Sequence, residues 1–338
     1  MRRWLPVRLA RCVFLSFLTS ALGLVQAQQL PTLRARTNLV VVPTLVETKA
    51  GEPVFNLTAK DFVVTDNGVE QKIRLDTETY AQPISIVVLL QVGRSAVREF
   101  DKYLGLPTMV DALAGNTDHR VAVVEFDSRP RMLQDFTSNP DAIQQAIYSI
   151  QPGDGGAAIL DSVWYAVDML KDEPPQNQRV IVLLSETRDS GSVTPMKEVV
   201  RQIGQSNVIV YSLAFSPGLE DAHEFSPPEG DTANLMAPVM MAIAALKKNT
   251  AAAIPHMTGG QYLRFNSGKQ LDRQIAMLAN QVHTRYMITF RPSNLTPGMH
   301  VLGVKLRQPL EVRVLARASY WAISAPAVEE ATPTPELR

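Results

Sequence analysis

Ile84-Ser85-Ile86-Val87-Val88-Leu89-Leu90, followed at once by Gln91-Val92-Gly93-Arg94-Ser95, is the stretch on which the fold turns. An apolar run without polar alternation is expected of a strand covered on both faces. Val121-Ala122-Val123-Val124, Val180-Ile181-Val182-Leu183-Leu184 and Val208-Ile209-Val210-Tyr211 have the same character. Between them lie helical patterns: Ile159, Val163, Val167 and Leu170 recur at helical spacing, as do Met196, Val199, Val200 and Ile203. Pro140 behind Ser138-Asn139 and Pro195 behind Thr194 read as first-turn prolines after capping residues. Trp164 is expected to pack inward, and Arg131 to Phe136 to form an antiparallel edge strand after Phe126. Strands alternating with helices predict an α/β unit: a doubly wound, mostly parallel sheet flanked by helices over residues 81–282.

The flanks read differently. Leu39 to Asp76 is all-β in character, with Asp66-Asn67-Gly68 predicting a hairpin between Phe62–Thr65 and Lys72–Leu75, because Asn-Gly tolerates positive φ. Tyr286–Phe290, Val301–Leu306 and Val312–Leu315 predict three more strands. Each flank has too few strands for a core of its own. A small all-β domain assembled from 37–80 and 283–322, with the α/β unit inserted, is therefore expected. Residues 323–338 are rich in Pro, Ala, Glu and Thr and are expected to be a disordered tail.

Residues 1–27 have the pattern of a cleavable signal peptide: Arg2, Arg3, Arg8 and Arg11, then the uncharged Val13–Val25, then Val25-Gln26-Ala27. This predicts an extracytoplasmic protein, periplasmic or secreted, with no membrane span after cleavage. Cleavage removes four arginines and no acid from a chain with 33 Lys+Arg and 33 Asp+Glu, leaving a net charge of about −4. Such a balance offers no general attraction to nucleic acid. Cys12 is the only cysteine and lies in the leader, so the mature chain has neither disulfides nor a thiol nucleophile. His119, His223, His256, His283 and His300 are dispersed without ligand spacing, and Gly268-Lys269 lacks the rest of a phosphate loop. Asp127, Asp154 and Asp161 are read as loop or capping carboxylates.

In open α/β sheets ligands bind beyond the carboxyl ends of the strands. The loops there are Gln91–Ser95, Gly153-Asp154-Gly155-Gly156-Ala157-Ala158 and Ser185-Glu186-Thr187-Arg188-Asp189. Together they resemble the von Willebrand factor type A family, whose first strand ends in Asp-x-Ser-x-Ser, with Gly-Gly-Thr-Ala before a middle helix and Ser-Asp after the fourth strand. The flanks, Asn56–Phe62 with Asn67-Gly68, and Tyr286, Pro292 and Val312–Tyr320, resemble the exported members of that family common in Acidobacteria.

The resemblance implies a metal-ion-dependent adhesion site, and this chain departs from it residue by residue. Gln91 stands for the first Asp, Gly93 for the first Ser, Ala157 for the Thr and Glu186 for the last Asp; Ser95 is kept and Asp189 is a candidate substitute. A hard dication wants oxygen ligands, carboxylates among them. No cofactor is therefore expected, or at most weak Mg²⁺ or Ca²⁺, and Gln91→Asp, Gly93→Ser, Ala157→Thr and Glu186→Asp together are expected to restore cation binding. The expected function is a non-enzymatic protein-binding or adhesion module. Gln91, Gly93, Arg94, Ser95, Ala157, Glu186, Arg188 and Asp189 would form its binding loops, with Gln91, Arg94, Ser95, Glu186 and Arg188 as a polar, mixed-charge surface. A structural subunit of an extracytoplasmic assembly is the alternative, and a hydrolase a remote one.

Overall fold

A computed structural model of the chain describes residues 39–76, 82–115, 117–215 and 237–323. In chain order, β1 (Val40–Thr48) leads through a 3-10 turn at Ala59–Asp61 to β2 (Phe62–Asp66), β3 (Val69–Glu70) and β4 (Ile73–Asp76). β5 (Ile84–Gln91) is followed by a 3-10 helix, Arg94–Gly105, that runs into α1 (Leu106–Ala114). Then come β6 (His119–Phe126), β7 (Pro130–Thr137), α2 (Pro140–Tyr148), α3 (Ile159–Lys171), β8 (Gln178–Ser185) and α4 (Met196–Gln205). β9 (Val208–Phe215), α5 (Ala237–Lys248), α6 (Thr250–Thr258), β10 (Tyr262–Phe265) and α7 (Gly268–Val282) complete the α/β unit. β11 (Tyr286–Phe290), β12 (Gly298–Leu306), β13 (Val312–Ala316) and β14 (Ser319–Ala322) close the described chain.

The central sheet has the order β10-β9-β8-β5-β6-β7, parallel except for the antiparallel edge strand β7. Its strands are apolar on both faces because both faces are covered. Ile84, Ile86, Val88 and Leu90 pack with Val110 and Leu113 of α1, Ile143 of α2 and Leu278 of α7. Val87 and Leu89 point the other way, onto Val163 of α3, Val199 of α4 and Ile254 of α6. The period-2 alternation of a strand thus feeds two cores at once. From β5 the chain crosses to β6; it later returns to β8 and continues outward to β9. The connections therefore diverge above the carboxyl ends of β5 and β8, the place where open α/β sheets bind ligands.

The flanking segments pair with each other in two antiparallel sheets, β13-β1-β11-β4 and β14-β12-β2-β3. Val40–Thr44 of β1 pairs with β11 and Thr44–Thr48 with β13, so residues far apart in sequence share one ladder. Val42, Val64, Ile288 and Phe290 are buried between these sheets. Buried polar contacts join this part to the α/β unit. Glu47 accepts from Gln281 Nε2 of α7 at 3.0 Å and pairs with Arg313. The fully buried Arg317 guanidinium donates to the carbonyls of Ile203 and Gly204, in the last turn of α4.

Three local expectations are corrected. The hairpin at Asn67-Gly68 exists, with φ of 48° and 82°, but its return strand is β3, and Ile73–Asp76 crosses to the other sheet to pair with β11. The reason is Gln71, whose buried side chain turns inward to donate to Ser293 Oγ and accept from Ser293 N, ending the ribbon after two residues. Trp164 is 37% exposed, on the outer side of α3, so it is not a core residue. Pro195 is extended, with ψ of 132°, and precedes α4 rather than opening its first turn. β10 and β14, too short to declare themselves as strands, extend the sheets at their edges. The leader at 1–27 and the tail beyond Ile323 lie outside the described residues.

Candidate functional site

The three loops meet above β5 and β8, and the backbone knits them together. Arg94 N donates to Asp154 O at 3.1 Å, Gly153 N to Val92 O at 2.9 Å, and Ala157 and Ser190 exchange two bonds of 2.8 Å. The approach is close enough to demand glycine. A Cβ at Gly93 would lie 2.2 Å from Gly156 O and 2.7 Å from Asp154 O, inside any allowed contact with backbone. Arg94, immediately after it, has a φ of 54°. That left-handed conformation is costly for a side chain with a Cβ, and residues held in it mark constrained places.

Glu186 sits at the centre. Its Oε1 accepts from Ser95 Oγ at 2.5 Å and Ser95 N at 3.1 Å, and its Oε2 lies 3.3 Å from Arg94 Nε. Gln91 is fully buried beneath it: Oε1 accepts from Glu186 N at 2.8 Å and Nε2 donates to Gly93 O at 3.2 Å. Ala157 is buried and offers no side-chain oxygen. Asp189 does not face Glu186. Its Oδ1 accepts from Leu160 N and Ser192 Oγ, so it caps the N-terminus of α3, which has no capping side chain of its own. Arg188 is exposed. The expected polar surface is therefore corrected: Gln91 is interior, Ser95 and Glu186 are half-buried, and only Arg94 and Arg188 reach outward.

The remaining acids brace loops. Asp154 Oδ1 accepts from Ser128 Oγ, Ser128 N and Gly156 N, and the Ser128 hydroxyl and Gly156 amide hold its pKa below the usual carboxylate value. Asp127 accepts from Arg129 N and Asp154 N, and Asp161 from Val193 N and Thr194 N. All three fit the loop roles expected from sequence. None had been connected with Ser128 or with the close approach at Gly156, because nothing in the local spacing signals either contact.

The site does not fit a divalent cation. Its one central carboxylate is already held by two donors of Ser95 and by a guanidinium, the Gln91 oxygen is bonded to backbone, and the room for a serine hydroxyl at position 93 is filled by two carbonyls. A cation there would have to displace bonded donors and accept too few charged ligands. Among the described residues no three His, Cys, Asp or Glu side chains converge on a common point.

Residues 89–189, which span all three loops, match the von Willebrand factor type A domain family. Over those residues the chain is similar to that family. The matched stretch runs from β5 to the Glu186 loop. Among solved structures, BatB from Bacteroides thetaiotaomicron is 15% identical, covering 59% of this chain and 98% of its own, with a TM-score of 0.41. Proximal thread matrix protein 1 from the mussel byssus is 12% identical over 66% of this chain and 51% of its own, with a TM-score of 0.43. A PilB minor pilin mutant from Streptococcus sanguinis is 13% identical over 62% and 63%, with a TM-score of 0.43. No curated protein matches the sequence. No helix among the described residues is long and apolar enough to cross a membrane.

A second polar cluster, far from the domain's loops, escaped sequence reading altogether. In the β sheets His300 Nδ1 lies 2.8 Å from Asp66 Oδ1 and Nε2 lies 2.7 Å from Thr296 O, while Tyr320 OH donates to Asp66 Oδ2 at 2.8 Å. Each ring nitrogen has an acceptor within reach, as an imidazolium requires, and Nδ1 also has Asn67 Nδ2 at 3.3 Å. The hydrogen bond to Asp66 raises the His300 pKa against the opposing effect of burial. Positions 66, 300 and 320 share no sequence pattern; only the pairing of β12 with β2 and β14 joins them.

Proposed function

We propose that this protein is an exported, non-enzymatic protein-binding module, and that it works through the loop face of its von Willebrand factor type A domain without a metal ion. The observation that carries this reading is the state of Glu186, whose carboxylate is closed by Ser95 and Arg94 rather than left open to a cation. A surface whose central charge is internally neutralised can recognise a partner by shape and hydrogen bonding, with no group poised for bond chemistry. On this reading the protein is of the exported Acidobacterial type, residues 1–27 are removed, and the mature chain begins near Gln28 in the periplasm or outside the cell. The β sheets formed by 37–80 and 283–322 serve as the base from which the domain at 81–282 projects its loops.

Crosslinking the protein in its native envelope, with mass spectrometry of the captured material and of the protein's own N-terminus, tests the proposal. A partner crosslinked through residues 91–98, 128–129 or 186–193, and a mature N-terminus near Gln28, are expected. An intact Met1 on exported protein would refute cleavage, and turnover by the protein of any peptide or ester substrate would refute the non-enzymatic reading. A structural subunit is the second reading. It is favoured by exposed Leu39, Leu295 and Ile323, which line a cleft with Tyr320 and Trp321 on the β part. Obligate co-purification through that cleft rather than through the loops would support it.

A further inference from the structure

We infer that His300 is a pH-sensitive latch on the β11–β12 loop, residues 291–297, whose Pro292 and Leu295 line the cleft beside β14. The protonated ring holds this loop at Thr296, and the neutral ring releases it. The latch stands apart from the protein-binding reading of the loop face. Its basis is where the β11–β12 loop is fixed. Near β11 the tie is Ser293, whose N–H donates to Gln71 Oε1 and whose hydroxyl accepts from Gln71 Nε2. Near β12 the tie is Thr296, whose carbonyl lies 2.7 Å from His300 Nε2. Leu295 stands between the two, 43% exposed, and lines with Tyr320 and Trp321 a cleft of about 150 Å³.

The proton count decides which contact opens. A neutral imidazole carries one N–H, and His300 has an acceptor at each nitrogen, so losing a proton leaves one contact without its hydrogen. The ring is faced by Asp66 of β2, Asn67 of the hairpin turn, Thr296 of the loop and Tyr320 of β14. The Arg317 guanidinium bears on Tyr320 from the turn between β13 and β14. Asp66 is buried; Tyr320 donates to its Oδ2, and among the described residues only His300 bonds its Oδ1. Setting that oxygen against a bare Nδ1 would leave a buried carboxylate half served, which is costly. The Asn67 amide, 3.3 Å from Nδ1, is a weak substitute for a charge-assisted bond. Thr296 is half-buried in a surface loop, so its carbonyl can exchange the ring for water. The proton therefore stays on Nδ1 beside Asp66, and Nε2 lets the loop go.

Two spectroscopic signals on the full chain test this. Long-range proton–nitrogen spectra of histidine-labelled protein report the tautomer of each ring, His300 being assigned by its absence in His300→Gln. Trp321 lines the cleft, so in a Trp4→Phe, Trp164→Phe background its emission reports on the loop. The titration runs from about pH 5 to about pH 9, across and above the ordinary histidine range. The neutral His300 ring is expected as the Nδ1–H tautomer. Trp321 emission should move to longer wavelength with the ring's own midpoint, while far-UV circular dichroism stays level. His300→Gln should abolish the emission shift. Asp66→Asn should lower the midpoint of one ring by roughly 1–3 pH units, the scale on which a neighbouring charge moves a titrating group. That shift identifies the His300 ring independently, so the tautomer can be read even where His300→Gln fails to fold. A neutral ring protonated on Nε2 overturns the inference. So does Trp321 emission that stays constant while the ring titrates, or an emission shift unchanged in His300→Gln. An Asp66→Asn protein in which no ring's midpoint falls overturns it as well.

Discussion

Gly93 and His300 show how single residues carry constraints that their neighbours in sequence do not reveal. At Gly93 the two carbonyls facing the missing Cβ belong to a loop sixty residues away, so a serine must push that loop aside. Gly93→Ser is expected to destabilise by about 1–3 kcal/mol, the usual cost of forcing atoms into a packed site, read as a fall in melting temperature. The fourfold exchange that would rebuild the family's cation ligands is therefore expected to disrupt the site rather than restore it. Leaving Gly93 in place and changing Gln91, Ala157 and Glu186 separates the loss of oxygen ligands from the loss of space; calorimetry with Mg²⁺, Ca²⁺ and Mn²⁺ reads both. His300 faces Asp66 of β2, Asn67 of the hairpin turn, Thr296 of the β11–β12 loop and Tyr320 of β14. Its folded pKa is raised above the unfolded value of about 6.5. The stabilisation is therefore complete below pH 6.5 and is lost as pH rises through the folded value, at up to about 1.4 kcal/mol per pH unit. Denaturant titrations should show wild type losing stability across that window relative to His300→Gln; parallel curves for the two would disprove the imidazolium.

Among the elements, α4 illustrates how a helix end is completed from elsewhere. Its amphipathic face, Val199, Val200 and Ile203, was readable as a helix and is buried as expected. Ser206 N bonds the carbonyls of Gln202 and Ile203, and Arg317, which arrives between β13 and β14, adds bonds to Ile203 O and Gly204 O. A cation at a helix C-terminus also meets the negative end of the helix dipole. Burial lowers the Arg317 pKa to about 10, so the charge persists at neutral pH. Hydrogen bonds from a charged group contribute roughly 1.5–3 kcal/mol. Arg317→Met should cost at least that in chemical denaturation, and hydrogen exchange should quicken at the last turn of α4 and along β14 together. Exchange confined to β14 would show that the helix end does not depend on this contact.

At the level of the whole molecule, the question is whether the β sheets and the α/β unit stand or fall together. Arg317 on α4 and Glu47 on Gln281 cross between them. Arg285 does the same, donating to Tyr211 OH and Gly259 O. Each contact removes a buried polar group from the cost it would incur if the two parts separated. A single calorimetric transition is expected for the full chain, with calorimetric and van't Hoff enthalpies equal. Arg317→Met combined with Glu47→Gln should split it into two; a wild type that already melts in two steps would mean that these contacts do not couple the parts.

What the sequence determined by itself was whatever depends on local periodicity. Apolar runs such as Ile84–Leu90 encode strands covered on both faces, and Ile159, Val163, Val167 and Leu170 encode a helix face, because burial follows the repeat of each element. The three loops were legible too, since their positions follow from where strands end. Tertiary structure decided which way their side chains face. That Gln91 lies inside, that Asp189 caps α3, that Glu186 is closed by Arg94 and that Trp164 is exposed all depend on neighbours contributed by distant segments. Hydrogen bonds and close contacts are set by spatial proximity, and spacing along a chain carries no record of them until the strands have paired.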